Sequence, residues 1–243
     1  MSAPLLKVEN LSVNYGHIQA SRQVSIEVGE GEFVGIIGSN GAGKSSTLKA
    51  VAGVVRPAAG TITMAGKPVH GCGSHEMVRH GVALVPEGRF VFADQSVEDN
   101  LILGGYIRAE RGGPAALQDD MERMYQLFPR LKERRTQLAG SLSGGEQQML
   151  VIARGLMSRP RLLMIDEVSL GLAPKVLELL FPVLQDLNRQ GLAILLVEQI
   201  ATRALAVTSR AYVMENGSVT QSGPSQQLMR DPSVMEAYLG KQH

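Results

Sequence analysis

The chain has 243 residues, of which 44% are hydrophobic, so it can bury one sizeable core with a smaller subdomain attached. Its formal net charge of +1 gives no indication of a nucleic-acid partner. The single cysteine, Cys72, excludes an internal disulfide, and no segment shows a signal-peptide pattern or the roughly 20 apolar residues of a membrane span. We therefore expect a cytosolic chain, with any membrane role supplied by a partner.

In chain order, the first predicted elements are alternating segments at 5–16 and 23–28, which indicate antiparallel strands. Four short apolar runs, at 33–37, 81–85, 162–165 and 193–197, predict strands buried on both faces of a mainly parallel sheet. The stretch from about 89 to 160 is helical and interrupted by glycine, so we expect a helical subdomain inserted between two core strands. A hairpin is predicted at 211–223, with its turn at Asn216 and Gly217. The fold class is therefore α/β, with a single domain over 1–243.

The first chemical motif is GSNGAGKSS, which follows the strand at 33–37 and precedes a predicted helix. Its spacing is G-x-x-x-x-G-K-[ST], in which backbone N–H groups and a helix start surround phosphate oxygens. A chance glycine-rich turn is the alternative, and the strand–loop–helix context argues against it. We expect Lys44 to reach the β- and γ-phosphates of ATP and the Ser45 hydroxyl to bind Mg²⁺. This motif predicts a P-loop NTPase core, with the nucleotide bound by Gly38, Ser39, Asn40, Gly41, Ala42, Gly43, Lys44, Ser45 and Ser46.

The second motif, LSGGEQQ, precedes a helical pattern. Ser143 is a suitable N-cap for that helix, and the glycines beside it leave N–H groups at the positive end of the helix dipole, where a second anion could bind. Apolar residues at helical spacing predict one face packed in the core. These residues are Met149, Ile152, Ala153, Leu156 and Met157.

The third motif is LLMIDE, an apolar strand that ends at Asp166 and Glu167. Ligands of open α/β sheets bind beyond the carboxyl ends of the strands, so both carboxylates should face the phosphate loop. Asp166 is suited to hold Mg²⁺ through water, and Glu167 is suited to orient or deprotonate the attacking water. A solvated pair at a strand end would be the simpler interpretation of these two residues alone, and the phosphate loop upstream reverses that preference.

Other polar groups are less specific. Glu198, at the end of AILLVEQI, is interpreted as a solvated strand terminus. His70, Cys72, His75 and His80 match no familiar zinc spacing, so we do not expect a metal there. The basic run at 130–135 is interpreted as a solvated helix face.

Together, the phosphate loop, LSGGEQQ and LLMIDE, in this order and with a helical insert between the first two, resemble the nucleotide-binding subunit of an ABC transporter. The resemblance covers nearly the whole chain, and LSGGE makes it specific. It implies that two cassettes pair head to tail, so that the signature of one closes on the ATP of the other. The residues that would serve the partner's nucleotide are Ser143, Gly144, Gly145 and Glu146.

Further roles follow from the resemblance. Tyr15 would stack on adenine. Glu87 stands where the family usually has a glutamine that serves the metal and the attacking water, and Gln199 stands where most members have a histidine that contacts the γ-phosphate. Val168 and Ala173 also depart from the family pattern. Residues 89–92 (RFVF) lie where the cassette receives the membrane subunit, so their aromatic rings are either docking residues or local core.

The sequence motifs PEGR, SLGLAP and LLVEQ resemble those of the LivF-type ATPase of branched-chain amino acid importers. This implies ATP hydrolysis coupled to import, at the cytoplasmic face of the inner membrane. The implied partners are transmembrane permease subunits, a second and different cassette (a homodimer stays open) and an extracytoplasmic solute-binding protein. An importer for urea, amides or another small solute is the alternative. A soluble non-transport ABC ATPase would show a tandem cassette, a long coiled-coil insertion or a basic surface, and a P-loop kinase or GTPase would lack LSGGEQQ.

Overall fold

The computed structural model describes residues 3–234. In this part of the chain the strands are β1 (Leu6–Tyr15), β2 (Ile18–Val28), β3 (Phe33–Gly38), β4 (Ala59–Met64), β5 (Lys67–Pro68), β6 (Val82–Val85), β7 (Leu162–Asp166), β8 (Ala193–Glu198), β9 (Arg210–Glu215) and β10 (Ser218–Pro224). The helices are α1 (Lys44–Val51), α2 (Ser74–Arg79), α3 (Val97–Gly104), α4 (Tyr106–Leu127), α5 (Pro129–Glu133), α6 (Gly144–Leu156), α7 (Pro174–Arg189), α8 (Ala201–Val207) and α9 (Ser225–Leu228).

The larger sheet has the order β10-β9-β3-β8-β7-β6. Its strands from β9 to β6 are parallel, and only β10 pairs antiparallel, with β9. The four predicted apolar runs form β3, β6, β7 and β8, which are buried almost throughout. They are apolar except for Asp166 and Glu198, the last residues of β7 and β8. The predicted hairpin is confirmed, since Asn216 and Gly217 both have positive φ and join β9 to β10.

The smaller sheet has the order β2-β1-β4-β5 and is antiparallel throughout. The alternation at 5–16 and 23–28 predicted β1 and part of β2, but no pattern in the sequence predicted β4 and β5. The alternation in β4 is short and starts at Ala59 and Gly60, and such a start is a weak strand signal. This sheet and the larger one share a core that includes the inner face of α1.

The helical insertion occupies the chain between β6 and β7, which are neighbours in the sheet. It consists of α3, α4, α5 and α6, and α6 packs both on α3 and on β6. Helix α4 is broken at Gly113, where φ is 72° and ψ is −175°, next to Pro114. The α/β fold class, with its parallel core, antiparallel sheet and helical insertion, is confirmed. Within residues 3–234, no helix is both long and apolar enough to cross a membrane.

Candidate functional site

The motif GSNGAGKSS forms the loop between β3 and α1, at the carboxyl edge of the parallel sheet. A cavity of about 460 Å³ opens beside this loop. It is lined by Tyr15, Ile18, Gln19, Ala20, Asn40, Gly41, Ala42, Gly43, Lys44, Ser45, Ser46, Glu87 and Glu167. Tyr15 lies at the wall with its ring 45% exposed, and Glu87 is exposed. Gln199 and residues 143–146 are not among the described residues that line this cavity.

At two positions the phosphate loop packs so closely against neighbouring backbone that only glycine fits. A Cβ atom on Gly43 would collide with the Ala20 carbonyl oxygen, and one on Gly38 would lie 2.5 Å from the Met214 carbonyl oxygen. Gly43 also has a φ of 93°, in the left-handed region. Among the described residues, no side chain caps the start of α1, so its first N–H groups keep their capacity for an anion.

Lys44 is 3% exposed and links the loop to the end of β7. Its Nζ donates hydrogen bonds to the carbonyl oxygens of Gly38 at 2.9 Å and Ser39 at 3.0 Å. The same nitrogen lies 3.3 Å from Oε1 of Glu167. An ammonium group held between loop carbonyls and one carboxylate is a point charge already positioned for phosphate oxygens.

Ser45 and Asp166 form the second link between α1 and β7. The Ser45 hydroxyl donates to Oδ1 of Asp166 at 3.0 Å, and Asp166 is only 2% exposed. Burial raises the pKa of Asp166 to about 6, helped by the charges of Glu167 and Glu87 and opposed by the Ser45 hydrogen bond. A hydroxyl and a carboxylate side by side are the oxygen ligands that Mg²⁺ prefers.

Glu167 follows β7 and has a left-handed φ of 50°. Its backbone N–H donates to the Val197 carbonyl oxygen at 2.9 Å, so the end of β8 fixes its position. Because Asp166 is buried and Glu167 nearly so, the alternative of a solvated pair at a strand end is wrong. The predicted approach of both carboxylates to the phosphate loop is confirmed.

The interpretation of Glu198 as a solvated strand terminus is wrong. Its side chain is 1% exposed, and both carboxylate oxygens accept hydrogen bonds from Ser169, one from the backbone N–H at 2.9 Å and one from the hydroxyl at 2.7 Å. Burial raises the pKa of Glu198 to about 7; the charge of Glu167 adds to this effect, while the Ser169 hydrogen bonds and the charge of Arg203 oppose it. Gln199, the next residue, is exposed.

The signature LSGGEQQ places Ser143 at the N-cap of α6, as predicted. The Ser143 N–H and hydroxyl donate to Oε2 of Glu146, and the Glu146 N–H donates back to the Ser143 hydroxyl, which makes a capping box. Burial alone would raise the pKa of Glu146, but the hydrogen bonds from Ser143 and the charges of Arg134 and Arg130 outweigh it and lower that pKa. The predicted apolar face of α6 is confirmed, with Met149 only partly buried and the other members in the core.

The basic run at 130–135 is not a single solvated helix face. Helix α5 ends at Glu133, and Leu131 is fully buried. Arg134 lies beyond the helix and pairs with Oε1 of Glu146 at 2.8 Å. The positive charge of this segment therefore supports the signature capping box rather than only facing water.

Residues 89–92 lie on the surface between the Glu87 loop and the helical insertion. The rings of Phe90 and Phe92 are 64% and 50% exposed, so the local-core interpretation is wrong for both rings. Arg89 donates to the Gly171 carbonyl oxygen at 2.6 Å. The Arg154 guanidinium donates to the Phe90 carbonyl oxygen at 2.5 Å and lies 4.8 Å from the centre of the Phe92 ring.

Sequence reasoning missed the roles of Arg89, Ser169 and Glu198. Arg89 binds backbone carbonyls, which every residue has, so no residue pattern could identify its partner.

Within residues 3–234, no group of three or more His, Cys, Asp or Glu side chains is arranged to hold a metal ion.

The fold and the site together define a P-loop nucleotide-binding ATPase cassette with an antiparallel sheet and a helical insertion. Residues 21–169 match the family model described as "ABC transporter". The chain is 45% identical to the high-affinity branched-chain amino acid transport ATP-binding protein BraG of Pseudomonas aeruginosa, over 97% of this chain and 100% of that protein. It therefore belongs to the ABC transporter family.

Other relatives also match over nearly their whole length. The chain is 33% identical to the lipopolysaccharide export system ATP-binding protein LptB of Acidithiobacillus ferridurans, over 98% of each chain. It is 30% identical to the probable branched-chain amino acid transport ATP-binding protein LivF of Archaeoglobus fulgidus, over 97% of this chain and 99% of that protein. A solved ATP-binding cassette of an ABC transporter in its ADP conformation superposes with a TM-score of 0.83, at 26% identity, covering 99% of this chain and 100% of the other.

Proposed function

We propose that this chain is the ATP-hydrolysing subunit that energises a membrane importer of branched-chain or other hydrophobic amino acids. The observation that supports ATP hydrolysis is a pair of contacts at the edge of the cavity, the ion pair of Lys44 with Glu167 and the hydrogen bond from Ser45 to Asp166. The amino acid class is supported by the 45% identity to BraG, whose name specifies branched-chain amino acid transport.

In this proposal Lys44 leaves the loop carbonyls and holds the β- and γ-phosphates of ATP, and the N–H groups of residues 38–46 surround the phosphate oxygens. Tyr15, exposed at the cavity wall, stacks on the adenine ring. The Ser45 hydroxyl and the Asp166 carboxylate hold Mg²⁺, and Glu87 is the third candidate oxygen ligand. When bound, Mg²⁺ neutralises phosphate charge. With a pKa of about 6, Asp166 is mostly ionised at neutral pH and available as a ligand.

Glu167 is the general base in the proposed reaction, because its carboxylate is held at the cavity beside Lys44. Gln199 donates its amide N–H to a γ-phosphate oxygen at any pH, but unlike histidine it cannot accept and return a proton near neutrality. Glu167 therefore carries the proton transfer with less help.

The signature supplies the other half of a shared site. Ser143, Gly144, Gly145 and Glu146 lie outside the cavity of their own chain, which fits their proposed role toward the nucleotide of a second cassette. That cassette is a different chain in our proposal, with a homodimer as the alternative. The exposed rings of Phe90 and Phe92 are the proposed docking surface for a transmembrane permease subunit at the cytoplasmic face of the inner membrane. An extracytoplasmic solute-binding protein would deliver the solute.

The proposal is tested by measuring the uptake of labelled leucine in a strain from which the gene for this chain is deleted. We expect wild type and Lys67→Ala, a change on an exposed strand, to restore uptake, and Glu167→Gln to bind ATP without restoring it. Unaltered ATPase activity in Glu167→Gln would refute the role of Glu167. Normal leucine uptake in the deletion strain, together with lost uptake of urea or an amide, would instead favour an importer for those solutes.

A further inference from the structure

The turn that follows Glu167 is fixed from outside at three places. The Glu167 N–H donates to the Val197 carbonyl oxygen at 2.9 Å, and Ser169 binds the Glu198 carboxylate. Arg89 donates to the Gly171 carbonyl oxygen at 2.6 Å. Inside the turn, by contrast, the Leu170 N–H lies 3.3 Å from the Glu167 carbonyl oxygen, a long hydrogen bond. The shape of this turn therefore depends on other elements more than on its own backbone.

Glu167 needs such support because its φ of 50° is unfavourable for a residue with a side chain, at a cost of about 1 kcal/mol. Two consecutive residues of β8 hold this segment in place. Val197 binds the Glu167 backbone, and Glu198 binds Ser169 two residues further on. Since β8 also pairs with β3, which leads into the phosphate loop, the turn and the loop share one strand as reference.

We infer that Glu198 is a positioning residue for ATP hydrolysis, and that its two hydrogen bonds to Ser169 hold the 167–171 turn so that the Glu167 carboxylate stays at the phosphate cavity. The inference rests on the proposed function, in which Glu167 is the general base. Glu198 lines no part of the cavity itself, so it acts through Ser169 and the turn.

The hydrogen bonds, rather than the negative charge, are the feature that positions the turn. The pKa of Glu198 lies at about 7, so the carboxyl is partly protonated at neutral pH. In either state one oxygen accepts from the Ser169 N–H, and the other exchanges a hydrogen bond with the Ser169 hydroxyl. A glutamine can make both contacts as well, because its carbonyl oxygen accepts and its amide nitrogen donates. A methionine fills similar volume and makes neither.

The test compares Glu198→Gln, Glu198→Met and Ser169→Ala in the full-length chain purified together with the second cassette. We expect Glu198→Met to lower kcat about 10- to 100-fold, because a small displacement of the base suffices for such a loss. The KM for ATP should stay within about twofold of wild type, since Lys44 and its loop are untouched. Glu198→Gln should keep kcat within about threefold of wild type, and Ser169→Ala, which removes one of two bonds, should fall between them.

A second measurement is independent of turnover. Hydrogen–deuterium exchange of a peptide covering 167–172 should be faster in Glu198→Met and unchanged in Glu198→Gln. The double variant Glu198→Met/Ser169→Ala should have the same kcat as Glu198→Met alone, because the two side chains share one contact.

The inference is overturned if Glu198→Met keeps wild-type kcat, or if folded Glu198→Gln loses as much activity as Glu198→Met. Equal exchange of the 167–172 peptide in all variants would also overturn it. Absence of ATPase activity in the paired cassettes, with wild type and with every variant, would refute the proposed function, and the exchange rates would still decide whether Glu198 holds the turn.

Discussion

Helices α1 and α6 both begin after segments rich in glycine and serine, yet the two helix starts are built differently. At α1, Lys44 and Ser45 bind Glu167 and Asp166, which lie at and just after the end of β7, more than 120 residues later. At α6, the Ser143 cap is bound by Glu146, three residues away on the same helix. The first start depends on the folded sheet, whereas the second is largely complete within one helical turn.

The two helix starts differ in whether they can bind ATP in an isolated chain. The start of α1 has no side-chain cap among the described residues, and its lysine and serine already lie in a cavity. At the start of α6, Ser143 is exposed, residues 144–146 are half-buried, and none of them lines that cavity. A single chain should therefore bind ATP with the α1 half, and the α6 half should matter only when a second cassette is present.

The largest expected effect is on Lys44. We expect Lys44→Ala to weaken ATP binding to the isolated chain about 100- to 1,000-fold, because a desolvated charge is removed from the phosphate oxygens and Glu167 loses its partner. The measurement is titration with a fluorescent ATP analogue. Lys67→Ala removes an exposed lysine of β5 and should bind like wild type. Equal affinity of Lys44→Ala and Lys67→Ala would contradict the role of the α1 start in binding ATP.

The next effect concerns stability, since Glu198, which binds Ser169 just after Glu167, is a buried carboxylate. The ordinary pKa of Glu198 is 4.5 and its folded pKa is about 7, so the folded chain binds more protons between these values. Its contribution to stability is complete below about pH 4.5 and is lost as pH rises through about 7. Because Glu198→Gln removes this titration, we expect its unfolding free energy to gain up to about 3 kcal/mol on wild type between pH 4.5 and pH 8.

Urea unfolding followed by circular dichroism at both pH values measures this gain. Glu133→Gln, at an exposed carboxylate of α5, is the matched control and should show a much smaller pH-dependent difference. A gain that is the same in both variants would contradict the burial of the Glu198 charge.

A smaller effect is expected at the other helix start. Ser143→Ala removes the N-cap of α6, at a cost of about 1 kcal/mol. We expect ATP affinity of the isolated chain to stay within about twofold of wild type and turnover of the paired cassettes to fall about tenfold. Ser222→Ala, at an exposed position of β10, is the control for both assays. Weaker ATP binding in the isolated Ser143→Ala chain would show that the two halves are not separate.

The smallest effect is expected at Gln199. Because histidine can also donate to the γ-phosphate and can exchange a proton near neutrality, Gln199→His should leave turnover within about threefold of wild type or raise it. Steady-state ATPase rates between pH 6 and 8 measure the change. A thousandfold drop would show that the site is built differently from our proposal.

Much of the fold could be predicted from the sequence, because strands buried on both faces need apolar residues throughout. This signal predicted β3, β7 and β8, and Asn216–Gly217 predicted the last hairpin. The sequence did not predict β4 because that strand begins with Ala59 and Gly60, which are weak strand formers. Local motifs likewise predicted the phosphate loop and the Ser143 cap.

The rest of the site could not be predicted, because it depends on partners that are distant in the sequence. A glutamate at the end of an apolar strand is compatible with water or with a buried donor, and the donor of Glu198 is Ser169, 29 residues earlier. Arg134 likewise binds Glu146 only because the segment after α5 turns toward α6. Such contacts follow from packing and have no periodic signal.

The loop that carries Phe90 and Phe92 illustrates how a buried residue can act on a surface. Asn100 is fully buried in α3, where its side chain accepts from the Phe92 N–H at 2.9 Å and donates to the Phe92 carbonyl oxygen at 3.1 Å. The Phe92 backbone, which carries one of the exposed rings, is thus held in place by a buried side chain. In the proposed docking to a permease subunit, this loop would lose less conformational entropy, so Asn100, which no partner can touch, would contribute to affinity through preorganisation.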